Sequence, residues 1–433
     1  MEAAFSFAAR CDVNYPKLVR IRQQFERPRV DDIPSAVTAA LAPLGLERRI
    51  RPGQSIALTG GSRGIANIAV ILKATADYLK RLGGKPFLVP AMGSHGGGTA
   101  EGQRHLLESY GITEEFVGVP IQASMDVVSL GTTAEGYPVV LDRHAASADH
   151  IGVVGRVKPH TGYHGKVESG LLKMMMIGLG KHVGALNYHR ILLEQPFEDV
   201  VRSVGRRVLA QAPVAFGLGI VENGYDETAR IDGVAPADFE RREEELLALA
   251  RRLLGRLPLR EADLLIIDEI GKNISGSGMD TNVVGRKRAI RNQPPPADLP
   301  VMSQIFVRGL SEKTHGNATA IGMADFTTNR LVASMDYRAT IINCLTAGYP
   351  SGASIPVHFE TDREAVDAAL AIIGQREARD ARILHIRNTL DLEELEVSEP
   401  CLSEPAQTQF APVSRAEAPR FDGSGNLQSA GRH

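Results

Sequence analysis

Apolar runs and helical periodicities alternate through the first half of the chain. From Ser55, SIALTGG is a short apolar run ending in glycines, the pattern of a strand buried on both faces. IANIAVILKATADYLKRLG then repeats its apolar positions at helical spacing, and KPFLVPAMG reads as the next strand, which together predict a βαβ unit. TAEGQRHLLESYGI follows as a helix and IGVVGRVKPH as a strand running into a polar loop. This rhythm predicts a mainly parallel sheet covered by helices. In such sheets, ligands bind in the loops at the C-terminal ends of the strands.

Residues 237–255, ADFERREEELLALARRLLG, form a strongly charged amphipathic helix, and RLPLREAD after it reads as a boundary before the strand LLIIDEIG. A break near Pro258 divides the chain into an N-terminal α/β domain over 1–258 and a smaller C-terminal α/β domain over 259–399. Further strands are expected at SQIFVRGL, RILHIRN and LVASMDY, with helices at REAVDAALAIIG and around TIINCLTAG. After about Glu399 the chain is polar and poor in large apolar residues, so 400–433 is expected to be a mobile tail. The architecture expected is α/β, with two Rossmann-like domains of mainly parallel sheet and a cleft between them.

Composition narrows the class. The 433 residues are 43% hydrophobic and 23% charged, a globular balance with material for buried sheets. A formal net charge of -2 supplies no general attraction to nucleic acid or to an anionic membrane. Cys11, Cys344 and Cys401 lie far apart and outside any CxxC spacing, which argues against a disulfide framework or a cysteine zinc site and fits a reducing cytoplasm. Neither a signal peptide nor a transmembrane helix is expected: MEAAFSFAAR lacks a basic region and a long apolar stretch, and Lys173 interrupts the apolar run 171–179.

TGGSRGIA, Thr59 to Ala66, has the form of a phosphate-binding turn, because glycines between strand and helix let a phosphate approach backbone N–H groups. It fits a short-chain NAD(P)-dependent dehydrogenase poorly. Ala66 replaces the last glycine, the strand KPFLVPAMG ends without an acidic residue for a ribose, and no Tyr-x-x-x-Lys occurs. GGSRG and HGGG mimic a nucleophile elbow and an esterase oxyanion loop, but in the reverse of the order hydrolases use. Tight turning alone would also account for these glycines.

His95 follows FLVPAMGS at a strand end; alone, such a His is as well explained as a structural or solvated side chain. The segment 157–189 is richer, with four His and four Lys among glycines and a Met-rich apolar run. Lysines and imidazoles in a glycine-lined loop lose solvation, an expense that a functional site explains. His160 and His164 would share one face of a helix, but Pro159, Gly162 and Gly165 oppose a helix there, so an all-protein zinc site is disfavoured.

In order, Gly93-Ser94-His95, Pro159-His160, Lys173 and His189, with Arg63 in the earlier strand-to-helix loop, resemble the nickel-dependent lactate racemase family. The resemblance implies a nickel-pincer nucleotide, a pyridinium mononucleotide derivative whose sulfur arms and ring carbon hold nickel. It implies that Lys173 attaches the cofactor covalently, that His189 ligates nickel, and that Gly61 and Ser62 contact the cofactor. His95 and His160 would be the paired acid/base groups, and Arg63 would bind the substrate carboxylate with its bidentate fork. The implied reaction is racemisation or epimerisation of a small 2-hydroxy acid by reversible hydride transfer, with cofactor-making enzymes as partners. A nucleotide-binding protein without catalysis is the reading from another class.

This chain also departs from the pattern. Gly60 stands where the lactate enzymes carry an acidic residue, Met-Met-Met-Ile-Gly replaces a Pro-Gly turn after Lys173, and Lys166 is a competing attachment site. The stretch 268–286, DEIGKNISGSGMDTNVVGR, suggests a branch distinct from lactate racemase proper, with Lys272 and Asn273 as candidate substrate contacts from the second domain. A longer hydroxy acid such as an aldonate would suit the same chemistry.

Overall fold

The computed structural model describes residues 13–61, 64–288 and 294–430. The chain forms two compact units. One runs Glu26–Leu254; the other joins the chain up to Phe25 to Gly255–Arg288 and to the chain from Pro295 onward.

In the first unit a five-stranded sheet has the order Lys85–Pro90, Ser55–Gly60, His150–Arg156, Val214–Glu222, Thr228–Val234. The first four strands are parallel and the last is antiparallel. Alternate residues of each strand enter opposite cores: Ile56, Leu58 and Leu88 pack on one face, and Ala57, Phe87 and Val89 on the other. Both faces are covered, which is why these strands read as continuous apolar runs rather than as alternation. From Ser55–Gly60 the chain crosses to one neighbour, whereas His150–Arg156 leads the other way. These adjacent strands therefore form a topological switch point, where the loops beyond their carboxyl ends diverge and leave a crevice.

The second unit holds an eight-stranded sheet in the order Val357–Phe359, Phe326–Thr328, Val301–Val307, Glu261–Ile267, Ile383–Ile386, Glu394–Ser398, Leu18–Gln24, Gln409–Pro412. Its first five strands are parallel and its last three join antiparallel. Both units are thus α/β with mainly parallel sheets.

Three expectations need correction. The first domain does not begin at the N-terminus: Leu18–Gln24 pairs with Glu394–Ser398 and Gln409–Pro412 in the second unit, while the units change over at Leu254 and Gly255, close to Pro258. Residues 400–430 are folded into that unit rather than mobile, with Leu427 buried and its carbonyl taken by Arg308. LVASMDY is not a strand. Thr328 caps the short helix Asn329–Ser334 by accepting the N–H of Leu331, and that cap outweighs the strand preference of Leu and Val. Among the described residues, no helix is long and apolar enough to cross a membrane.

Candidate active site

Three loops leave the carboxyl ends of neighbouring strands in the first unit, and each carries a residue singled out by the sequence. The loop after Lys85–Pro90 bears His95. Ala91 donates to the Gly60 carbonyl at 2.7 Å, Gly93 turns with φ +58, and the His95 N–H closes on the Met92 carbonyl at 3.2 Å. Gln103, fully buried on the helix Ala100–Ser109, donates to the carbonyls of Gly93 at 2.9 Å and His95 at 3.3 Å. Beneath the loop, the buried Lys181 ammonium pairs with Asp142 at 2.9 Å and donates to the Pro90 carbonyl. Burial lowers the Lys181 pKa, with Asp142 acting against that shift.

The loop after His150–Arg156 bears His160. It is closed at its base by paired backbone bonds between Lys158 and Ser169, at 2.9 and 3.3 Å. Inside, the buried Glu168 carboxylate accepts the backbone N–H of His160 and, at 3.1 Å, that of Gly165, and it pairs with Arg251 at 2.6 Å. The His160 Nδ1 accepts from the backbone N–H of Gly162 at 2.8 Å and of Tyr163 at 3.1 Å. The ring also lies against Tyr163, centroids 4.8 Å apart, and Tyr163 stacks on Phe197 at 4.6 Å.

The third loop follows Ser55–Gly60. Gly61 is buried there, whereas Ser62 and Arg63 lie outside the described residues. A Cβ at Gly60 would stand 2.9 Å from a terminal methyl of Leu107, so a side chain there requires Leu107 to shift.

Lys173 ends the short helix Leu171–Lys173, and the chain continues as a π-helical turn over Met174–Gly178 before the helix Lys181–Ile191, which carries His189. π turns are rare and recur at functional sites. This one packs under the two other loops: a Cβ on Gly61 would touch Met174 at 3.3 Å, and one on Gly93 would touch Ile177 at 3.0 Å. Lys173 and His189 are half-buried, and the Lys173 Nζ donates to Ser169 at 3.3 Å. Burial first, and the charge of Lys173 second, lower the His189 pKa. Both effects favour the neutral imidazole, the form in which histidine ligates a metal. Lys166, the competing attachment site, is exposed, and its N–H is taken by Glu198 at 2.9 Å.

Sequence reasoning missed Glu243. From the helix Phe239–Leu253 its buried carboxylate accepts the N–H of Leu172 at 2.8 Å, capping the helix that presents Lys173. Its place in the series Phe239, Glu243, Leu246, Leu247, Ala250 is a core position, and that periodicity was the available signal.

Lys272 and Asn273 belong to the second unit, in the loop after Glu261–Ile267. The Lys272 N–H donates to Thr314 at 3.0 Å, and Asn273 accepts from Ser311 at 2.6 Å. The same sheet end holds a buried charge cluster also missed from sequence: His385 lies between Asp268 at 2.7 Å and Glu396 at 3.0 Å, and Arg308 bridges Asp268 and Asp362. Burial opposes a charged His385, but the two carboxylates outweigh it and raise its pKa to about 9.

Among the described residues, no group of three or more His, Cys, Asp or Glu could hold a metal. A single neutral imidazole beside a lysine fits a metal whose other donors arrive with an organic group.

A family model described as lactate racemase N-terminal domain matches residues 9–200. In fold, the chain is similar to the lactate racemase apoprotein from Thermoanaerobacterium thermosaccharolyticum, with a TM-score of 0.51 at 12% identity over 87% of this chain and 99% of that one. No curated protein matches the chain. The chain is therefore lactate-racemase-like, in the sequence of residues 9–200 and in its fold.

Proposed function

We propose that the protein racemises or epimerises a small 2-hydroxy acid with a nickel-pincer nucleotide held by Lys173 and His189. The observation that carries this reading is the half-buried Lys173 and His189 pair, carried by the short helix Leu171–Lys173 and the helix Lys181–Ile191, with the π turn Met174–Gly178 between them packed against the loops of Gly61 and His95. Lys173 Nζ is the attachment point, and a thioamide there would remove the positive charge that now acts on His189. His189 offers its neutral ring nitrogen to nickel. Gly61 and Ser62 are the assigned nucleotide contacts, and the lack of a side chain at Gly61 allows close approach. The bound group would supply a hydride acceptor and a metal that needs only one protein donor.

The rest is proton handling and orientation. C2 of a 2-hydroxy acid is a weak acid, so losing its hydrogen as hydride while the hydroxyl proton leaves is the easier route to a planar carbon. His95 and His160 are the groups that take and return that proton, as suits imidazoles with an ordinary pKa near ~6.5. Arg63 clamps the carboxylate in a bidentate fork. Enzymes that build the cofactor are the required partners.

The test is racemisation of a single enantiomer in D2O by protein made together with those enzymes. Inversion with hydrogen retained at C2 is expected. Deuterium entering at C2 would mean direct proton abstraction, and substrate oxidation with nicotinamide reduction would mean a dehydrogenase; either result refutes the proposal.

A further inference from the structure

Resting on the racemase reading above, we propose that Lys181 is a positioning residue: its buried ammonium, paired with Asp142, holds the loop of His95 and the helix of His189 in register. Both side chains are fully buried, with Nζ 2.9 Å from the Asp142 carboxylate. The same ammonium donates to the carbonyl of Pro90, the last residue of the strand from which the His95 loop springs. The backbone of Lys181 opens the helix Lys181–Ile191, which carries His189 about two turns further on. Asp142 fixes the pair from the other side. Its N–H donates to the Leu179 carbonyl at 2.7 Å, just beyond the π turn, and its carboxylate accepts the Ala145 N–H at 2.8 Å.

Stability alone does not account for this pair. Taking an ammonium and a carboxylate out of water offsets most of their attraction, so packed apolar residues would hold the fold as well. Lys181 also sits at φ +56, a backbone conformation that glycine adopts freely and lysine does not. What an apolar side chain could not supply is a directed bond to one carbonyl. The chain above that carbonyl is stiff, because the Gly93 N–H reaches the Gly178 carbonyl at 3.4 Å and Gln103 donates to the carbonyls of Gly93 and His95. A displacement of Pro90 therefore reaches His95. In the proposed reaction His95, one of the two acid/base groups, exchanges the hydroxyl proton while the C2 hydrogen moves at the group held by Lys173 and His189. The two events need matched positions, and an error of ~1 Å costs about a hundredfold in rate.

The test removes both charges together, so that neither is left buried alone. Asparagine at 142 keeps the capping acceptor. In the loaded enzyme, Lys181→Met/Asp142→Asn should lose about a hundredfold in kcat with KM within about threefold of wild type. Its nickel content and the added mass on Lys173 should stay as in wild type. Lys181→Gln/Asp142→Asn, whose amide restores a donor one bond short of Nζ, should lose only about tenfold. NMR of the unloaded full chain labelled with 15N-histidine supplies a readout apart from activity. The ring signals of His95 and His189, assigned by their loss in His95→Gln and His189→Gln, should both shift in the methionine variant. That of His150, at the far end of the same unit's sheet, should stay and show that the unit folds.

Wild-type kcat in the methionine variant, or His95 and His189 signals that both stay in place, overturns the proposal. So does activity that falls in step with nickel, which would make the pair a loading device, and so does loss of the fold in both variants, which would make it structural only. Should the methionine variant alone fail to fold, the glutamine variant decides: shifted rings with reduced kcat support the proposal, and unmoved rings overturn it. Wild-type protein that carries nickel but does not racemise refutes the racemase reading and the purpose assigned to Lys181, whereas the ring shifts of the unloaded chain judge the tie itself.

Discussion

Lys173 is presented by a helix that does not cap itself. The residue before it is Gly170, whose Cβ would lie 2.4 Å from the Glu243 Oε1, so the space a capping side chain would fill is taken by a carboxylate from another helix. Burial pushes Glu243 up to about 7, against the N–H bonds of Leu172 and Leu171 and the charge of Arg202 that favour ionisation. A carboxyl whose folded pKa lies above its ordinary value of 4.5 binds its proton more tightly when folded, so stability falls as pH rises from 4.5 to about 7 and is level above. Glu243→Gln should therefore gain on wild type across that window, by up to about 3 kcal/mol. Denaturant unfolding at pH 5 and pH 8 checks this; equal pH slopes in the two proteins would contradict it. Lys173 and His189 could be singled out because their spacing is a pattern along the chain. Glu243 was hidden because it lies within EEE, where one core-facing carboxylate looks like its exposed neighbours.

At the scale of elements, the π turn Met174–Gly178 supports two loops at once and tolerates little change. A Cβ at Gly178 would stand 2.7 Å from the Met174 Sδ and 2.9 Å from the Ala91 carbonyl, at the root of the His95 loop. Gly178→Ala should cost about 1–3 kcal/mol of stability and lower racemisation, because the Ala91 backbone must move. Gly423→Ala, where nothing lies within 4 Å, is the control and should stay within about 0.5 kcal/mol. Equal effects of the two substitutions on thermal unfolding would sink this account. The Met-rich run was recognisable as non-surface. Its π geometry was not, because a single widened turn leaves no period in the sequence. LVASMDY failed for a related reason: its apolar residues suit a strand, and the decision belonged to the hydroxyl of Thr328 just upstream.

Across the whole molecule, local periodicity foretold the strands Ser55–Gly60, Lys85–Pro90 and His150–Arg156 and the helices Ile68–Arg81 and Ala100–Ser109, because a parallel sheet buried on both faces writes continuous apolar runs. It could not show that Leu18–Gln24 joins Glu394–Ser398, since that pairing is a contact between chain ends. Nor could composition show that the polar C-terminal segment is fastened. Leu427 N–H donates to Asp362 and Ala430 N–H to Asp268, each at 2.9 Å, so the segment is anchored through its backbone on buried carboxylates rather than by large apolar side chains. The central claim, that Lys173 and His189 together hold a nickel-bearing nucleotide, is met most directly by intact mass and metal content of protein produced with the cofactor-making enzymes. The account predicts added mass on the peptide containing Lys173 and stoichiometric nickel, with the nickel lost in His189→Ala. Protein that racemises its substrate normally with neither nickel nor a modified Lys173 would contradict it.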